Sequence, residues 1–461
     1  MSEHALALAR EKMTAAGASA PAREVFEYNF RALADGETGE IPEDSIEPIR
    51  ELDRLEDVLP DDDAARSALA VTAIIKLNGG LGTSMGMRRA KSLLRVRDGK
   101  SFLELTLDQI RAARARYGAR LPFVLMNSFA TAKDTRAALA AHSDIAVEGI
   151  PADFMQSAVP KILADTLAPV EWPAAPELEW CPPGHGDLYP SLLGSGVLDA
   201  LIDAGFRYAY VSNSDNLGAA PSAEIAGWFA ATGAPFAMEV CRRTEMDKKG
   251  GHLALRRFDK RIVLREVAQT SDEDLPLFTD ISRHRYFNTN TIWFDLVVLR
   301  EALLERGGVL GLPLIRNEKT VDPRDPNSPR VVQLETAMGA AVEVFEGARA
   351  IEVPRSRFLP VKSTSDLLLV RSDAFEMDED SHLIPVASPV VTLAPGPYRR
   401  IADFDAHFPD GAPSLRDAVA FTVQGDWMFG GGVRVLGAVT LGPEGGTIAP
   451  GAELRSTFSA G

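Results

Sequence analysis

The sequence predicts an α/β protein followed by a small all-β unit, and three observations carry that prediction. Short β-branched, apolar runs, beginning with VTAIIKL at 71–77, alternate with segments of helical spacing. Such alternation builds a parallel sheet covered by helices on both faces. After about Ser372 the texture changes: short apolar pieces alternate with glycines, as in 423–454, and no long amphipathic helix fits. The chain thus divides into 1–70, 71–372 and 373–461.

Taken in order, the first 70 residues read as helices in a polar, acidic setting. Ala5, Leu6, Leu8 and Ala9 make a short apolar stripe, and Ile46 to Leu59 is charged and helical in pattern. Asp61, Asp62 and Asp63 resemble a metal site, but a solvated turn that caps a helix explains them better, because acids favour the positive end of a helix. From Val71 the first strand leads to a helix over 101–118, with Ser101 and Glu104 spaced as a capping box. LPFVLMN (121–127) is a second strand, followed by an Ala-rich helix to about Ala141. YAYVSN (208–213) and PFAMEVCR (235–242) are strands separated by a helix around Glu224 to Thr232. HLALRRF and RIVLREV, split by Asp259 and Lys260, form a hairpin. The C-terminal unit reads as a short β-helix of irregular coils, expected to fold separately. In sheets of this kind ligands bind beyond the carboxyl ends of the strands. The glycine-rich and charged segments fall there.

Composition narrows the function. Of 461 residues 46% are apolar, ample for a buried core. The net charge of −16, from 49 Lys+Arg against 65 Asp+Glu, argues against nucleic acid and polybasic membrane binding. A phosphate ligand would need a local cluster of positive groups. Two cysteines, Cys181 and Cys241, give no disulfide framework and suit a reducing compartment. The first residues carry acids and no long apolar run, unlike a secretory signal. A cytoplasmic protein with no membrane partner is the expectation.

Five segments carry chemistry. LNGGLGTSMGMRRAKS, Leu77 to Ser92, follows the first strand. Its glycines at 79, 80, 82 and 86 allow close approach and positive φ, and successive N–H groups in such a loop cradle anions. It is neither a P-loop nor the Rossmann fingerprint, and a tight glycine turn in any α/β fold would look similar. WCPPGHGDLYPSLL, Trp180 to Leu193, sets His185 between Gly184 and Gly186, where an exposed histidine could meet a ligand; no second His or Cys stands at metal spacing. YVSNSDNLGA, Tyr210 to Ala219, ends a strand with Asn213 and Asp215. A carboxylate there suits Mg²⁺, which takes hard oxygens and often only one or two carboxylates; an Asx turn capping the next helix explains it equally well. FNTNTIWF (287–294) inserts amides into an aromatic strand, suited to sugar hydroxyls. RSRFLPVK gathers Arg355, Arg357 and Lys362 in an acidic chain.

In order, LNGGLGTSMG, PPGHGD, SN-x-DNLGA, KGG, FNTN-x-xW, QLET and RSRFLPVK closely resemble the eukaryotic-type UTP–glucose-1-phosphate uridylyltransferases (UDP-glucose pyrophosphorylases), densely from Val71 to Val370 and loosely beyond. The resemblance implies a nucleotide-diphospho-sugar transferase core, a Rossmann-like mixed sheet between helices, with a C-terminal left-handed β-helix. It implies that Leu77, Asn78, Gly79 and Gly80 contact uracil and phosphates, that Gln156 reads the uracil edge, and that Gly184 touches the nucleotide. His185, Asn213 and Ser214 would bind the sugar phosphate, with Glu239, Gly251 and Asn290 at the sugar. Asp215 would hold Mg²⁺ and the nucleotide, and Lys91 and Lys362 would serve the reacting phosphates as catalytic residues. The implied reaction converts UTP and glucose 1-phosphate to UDP-glucose and pyrophosphate; it leaves a homo-oligomer open. Two departures stand out: Arg88, Arg89 and Ala90 replace the family's Lys-Gly-Pro, and Cys181 replaces a residue that is often aromatic. An N-acetylhexosamine or broad-specificity enzyme of the same fold is the alternative, though such relatives carry Arg where Ser84 stands. A regulatory relative that had lost activity would have lost Lys91, Asp215 or Lys362, and a scaffold built on the β-unit would not need them.

Overall fold

An eleven-stranded mixed sheet forms the centre of the structure, a computed structural model that describes residues 2–58 and 60–455. Its strands are β1 (Ile46–Pro48), β2 (Asp53–Arg54), β3 (Thr72–Asn78), β4 (Phe123–Asn127), β5 (Asp153–Met155), β6 (Tyr208–Asn213), β7 (Phe236–Arg242), β8 (His252–Arg256), β9 (Ile262–Arg265), β10 (Tyr286–Asp295) and β11 (Arg349–Glu352). The order is β2-β11-β7-β10-β6-β3-β4-β5, with the β8–β9 hairpin and β1 branching from β10. Along that path β10 alone runs antiparallel to its neighbours.

Burial on both faces explains the apolar strands. Ile75, Val211, Met238 and Phe294 pack under the helices Leu188–Gly194, Val197–Asp203 and Leu296–Glu305. Ile74, Tyr210, Ala237 and Trp293 face the opposite layer, built from Asp62–Ala70, Phe102–Tyr117 and Ala223–Thr232. Alternate residues of one strand therefore fill two cores, as the two-residue period of a strand requires. Each fully buried large apolar side chain contributes roughly 1.5–3 kcal/mol. The helix after β3 carries the expected capping box: Ser101 N donates to Glu104 at 2.8 Å and Glu104 N to Ser101 at 3.3 Å, and Gly118 ends it at φ +67°.

One expectation needs correction. Ile46 to Leu59 is not helical in its described part: it supplies β1, β2 and a 3-10 turn, Leu55–Asp57, while Leu59 lies outside the described residues. The reason is tertiary pairing: β1 adds antiparallel to β8 and β2 parallel to β11, which overrides local helical preference. Asp61 does cap the helix that follows, accepting from the amides of Asp63 and Ala64 at 2.9 and 3.1 Å. After Ser372 the chain is again rich in strands. The strands β12 (Val390–Leu393), β13 (Ala418–Val423), β14 (Trp427–Phe429), β15 (Arg434–Leu441), β16 (Gly446–Ile448) and β17 (Glu453–Arg455) pair in parallel, β12-β13-β15-β17 and β14-β16. Their interior is not closed on itself: Phe421, Val439 and Leu454 share one cluster with Leu94, Phe102, Leu105 and Leu367. A boundary at Ser372 runs through that cluster. No described helix is long and apolar enough to cross a membrane.

Candidate active site

The carboxyl ends of four neighbouring strands meet in one row. Register pairs Asn213 of β6 with Leu77 of β3, Asn78 with Asn127 of β4, and Asn127 with Met155 of β5. The loops leaving these strands are laced together. Ser214 N donates to Leu77 O at 3.0 Å and Gln156 N to Asn127 O at 2.7 Å. Asn78 Nδ2 reaches Asn127 Oδ1 at 2.7 Å, and Ser128 Oγ reaches Gly79 O at 2.9 Å. Gln156 Nε2 donates to Gly184 O at 3.0 Å, while a methyl group on Gly79 would lie 2.8 Å from Gln156 Oε1. Gly79, Gln156 and Gly184, far apart in sequence, thus form one wall. Of the loop's glycines, Gly82 and Gly86 take positive φ, +63° and +70°; Gly79 is there for close approach instead. Gly80 O accepts from Lys91 N at 3.0 Å, which fastens the far end of the loop.

The PPGHG turn is seated by QLET. Thr336 N donates to Pro183 O at 3.0 Å and Gly186 N to Thr336 O at 2.8 Å. Gly184 has φ +78°, and a Cβ on it would lie 2.4 Å from Thr336 O. His185 is partly buried rather than freely exposed. Its Nδ1 accepts from Met338 N at 2.9 Å, so the ring proton sits on Nε2. Burial pushes its pKa down to about 4, leaving a neutral ring that offers one N–H.

Asp215 does not cap a helix; Ser222 caps the next one. The Asp215 carboxylate lies 2.5 Å from Lys91 Nζ, both side chains less than a fifth exposed. Its neighbour Asn216 binds a distant segment: Asn216 Nδ2 donates to Arg357 O at 3.1 Å, and Leu359 N donates to Asn216 Oδ1 at 2.9 Å. A Cβ on Gly218 would stand 2.3 Å from Ser356 O. The DNLGA motif is therefore a dock for RSRFLPVK. Lys362, further along the same segment, is exposed, and its backbone N–H is held by Asp366 Oδ2 at 2.9 Å. From the C-terminal unit Arg399 Nε reaches Ser84 O at 3.2 Å, and the Arg400 stem covers Gly86.

The other end of the row is built from side chains. The β7–β10 register shifts between Glu239 and Val240, leaving Thr289 and Asn290 of β10 unpaired, and Asn290 takes φ +55°, a conformation asparagine tolerates better than most residues. Reciprocal bonds fix it: Asn288 Nδ2 donates to Asn290 Oδ1 at 2.8 Å and Asn290 N to Asn288 Oδ1 at 2.9 Å. Gly251 O accepts from Asn288 N at 2.8 Å, and a methyl on Gly251 would come within 2.4 Å of the Glu266 carboxyl carbon. Burial raises the pKa of Glu266, opposed by a bond from Asn288 and by the charge of Lys362. Glu266 was missed from sequence; it ends a hairpin and carries no motif of its own. Glu239 is 1% exposed and its carboxylate is committed to Arg357 at 2.7 and 3.1 Å and Trp293 at 2.9 Å. It holds RSRF against the sheet. Beneath the same strands Lys76, 2% exposed, donates to Ser212 Oγ at 2.7 Å and Ala219 O at 2.8 Å, and burial lowers its pKa to about 7.

Comparison with known proteins gives this arrangement a family. The model of the family described as UTP–glucose-1-phosphate uridylyltransferase matches residues 24–435. A Saccharomyces cerevisiae protein of that name is 40% identical, over 81% of this chain and 74% of its own, and the Solanum tuberosum one 38% identical, over 88% and 82%. A UDP-glucose pyrophosphorylase from Leishmania major, a mutant form solved in complex with UDP-glucose, superposes with TM-score 0.91 at 42% identity and 98% coverage of both chains. A Trypanosoma brucei structure superposes with TM-score 0.88 at the same identity and coverage.

Proposed function

Because the chain belongs to the UTP–glucose-1-phosphate uridylyltransferase family, whose reaction makes UDP-glucose and pyrophosphate from UTP and glucose 1-phosphate, we propose how its residues divide that work. The observation that carries the reading is the single row of strand ends, with the Gly79–Gln156–Gly184 wall at one end, Asn290 at the other and the Lys91–Asp215 pair on its glycine-loop side. Leu77, Asn78, Gly79, Gly80, Gln156 and Gly184 bind the nucleotide. His185, Asn213 and Ser214 bind the sugar phosphate, and Gly251 and Asn290 the sugar; Glu239 acts through Arg357. The 71–372 unit carries this row, 1–70 completes its sheet, and 373–461 braces the glycine loop.

A phosphate oxygen of glucose 1-phosphate attacks the α-phosphorus of UTP in line, and pyrophosphate leaves opposite. No protein nucleophile is needed, because the attacker is already an anion. The difficulty is charge: two like charges 4 Å apart cost roughly 4 kcal/mol at an effective dielectric of 20. Lys91, Lys362 and the loop N–H groups offset it by standing where charge gathers. Asp215 suits Mg²⁺: it is a hard-oxygen ligand at a strand end whose present partner is a cation, the Lys91 ammonium. Bound there, Mg²⁺ would neutralise the triphosphate. His185 would donate its Nε2–H to a phosphate oxygen without changing its own charge.

The test is a screen of nucleoside triphosphates against sugar 1-phosphates, with released pyrophosphate measured. UTP with glucose 1-phosphate should give the highest kcat/KM. A higher value with N-acetylglucosamine 1-phosphate would reassign the sugar end.

A further inference from the structure

Behind the sugar end lies a buried charged cluster that the reaction does not use. Glu43, from the N-terminal segment, accepts from Arg265 at 2.6 Å, Arg283 at 2.6 Å and His284 Nε2 at 3.0 Å. Asp274 takes the second arm of Arg265 at 2.8 Å and the Glu43 amide at 2.8 Å. The ring of His284 stacks on that of His252 at 3.7 Å. Arg265, His252 and His284 are wholly buried, Glu43 nearly so. Three of their atoms, Arg265 Nε, His252 Nε2 and His284 Nδ1, have no partner among the described residues.

A cluster like this is a poor way to gain stability. Buried ion pairs lose about as much in desolvation as they recover, and well-packed apolar residues often serve better. Its position suggests another use. His252 and Arg265 face each other across the β8–β9 hairpin. The next residues outward on the two strands are Gly251 and Glu266. Successive strand residues point to opposite faces, so the cluster grips the back of the hairpin while Gly251 and Glu266 meet at the front. Glu266 continues the chain of contacts to Asn288, and Asn288 fixes Asn290 in its left-handed conformation.

We propose that Glu43 is a positioning residue for the sugar end: acting through Arg265 and His284, it sets the hairpin so that Gly251, Glu266 and Asn290 present one fixed surface to the hexose. The proposal rests on the sugar-end assignment made above. Burial lowers the pKa of both histidines, so near neutral pH the Glu43 charge is answered by the two arginines alone, and the histidines act as neutral spacers.

The experiment compares Glu43→Gln, Arg265→Lys and Asn290→Ala in the full chain, with glucose 1-phosphate varied at saturating UTP and Mg²⁺ and UTP affinity measured separately by calorimetry. Glu43→Gln should raise the KM for glucose 1-phosphate about tenfold, with kcat within about threefold of the parent and UTP affinity unchanged. Glu43→Asp, which keeps the charge, should recover part of that loss. Arg265→Lys keeps charge but loses the two-armed grip, and should act in the same direction; it carries the test if Glu43→Gln does not fold. A parental KM in a folded Glu43→Gln or Arg265→Lys, or a parallel loss of UTP affinity, overturns the proposal. Asn290→Ala separates the two ideas. If it leaves KM unchanged, the sugar-end assignment falls and the proposal with it; if it raises KM while Glu43→Gln does not, the proposal alone falls.

Discussion

The two ends of the cleft are made differently. At the end proposed for the nucleotide the chain presents backbone: Leu77 to Gly80, the Gly184 turn, and strand ends laced by bonds of 2.7–3.0 Å. Side chains there are few, and the decisive residues are glycines that let one segment approach another. At the end proposed for the sugar the surface is side chain: Asn288, Asn290 and Glu266, held from behind by Glu239–Arg357 and by the Glu43 cluster. A backbone site is rigid because its strands are. A side-chain site must be braced, and the braces come from anywhere in the chain.

That contrast can be broken experimentally. The largest effect should come from Lys362, proposed above to serve the reacting phosphates. Lys362→Ala should fold normally, retain some UTP binding, and lose about 10²–10³ in kcat, or about 2.7–4 kcal/mol, as when one donor to a developing anion is deleted. A kcat within a few-fold of the parent would make it a solvated surface charge. Next, Asp215→Asn keeps volume but loses the anion, and the Mg²⁺ concentration for half-maximal rate should rise about 10–100-fold; an unchanged titration would leave Asp215 only its bond to Lys91.

A pair of glycine variants then sharpens the comparison. In Gly184→Ala the new Cβ meets backbone, 2.4 Å from Thr336 O, at φ +78°. In Gly251→Ala it meets the end of the Glu266 side chain, which can swing away. Gly184→Ala should therefore destabilise by about 1–3 kcal/mol in urea unfolding, and Gly251→Ala by less, raising instead the KM for glucose 1-phosphate. Equal destabilisation would deny the difference between the ends. The smallest effect concerns His185. Its pKa of about 4 in the folded chain lies below the ordinary 6.5. The unfolded chain therefore binds the extra proton between those values, and stability falls as pH drops from about 6.5 towards 4. Above about 6.5 the contribution vanishes. Unfolding of the parent and His185→Gln at pH 7.5 and 5 should show the parent losing more on acidification.

Much of the end proposed for the nucleotide was legible as local structure, because its parts are contiguous: the strand, the glycine loop and the lysine lie within 72–91, and a capping box marks the helix that follows. The pattern could not show that Gly79 serves Gln156, or that Thr336 seats the PPGHG turn, since both are contacts between distant segments. Ile46 to Leu59 misled because its charges mimic a helix face, while the conformation of Ile46–Pro48 and Asp53–Arg54 is set by strands formed much later in the chain. Glu43 and Glu266 gave no signal. A lone acid looks solvated until the fold buries it against arginines.

The cluster that joins Phe102 and Leu105 to Phe421, Val439 and Leu454 also has a consequence in time. On the ribosome, at about 5–20 residues per second, Phe102 emerges well before the residues that will cover it. The helix Phe102–Tyr117 can form at once from its own cap, but one flank stays bare until β13, β15 and β17 arrive. Contacts so distant in sequence are slow to form and leave apolar surface exposed meanwhile. The glycine loop, lying between that helix and the late-arriving Arg399 and Arg400, is therefore among the last parts of the cleft to be finished.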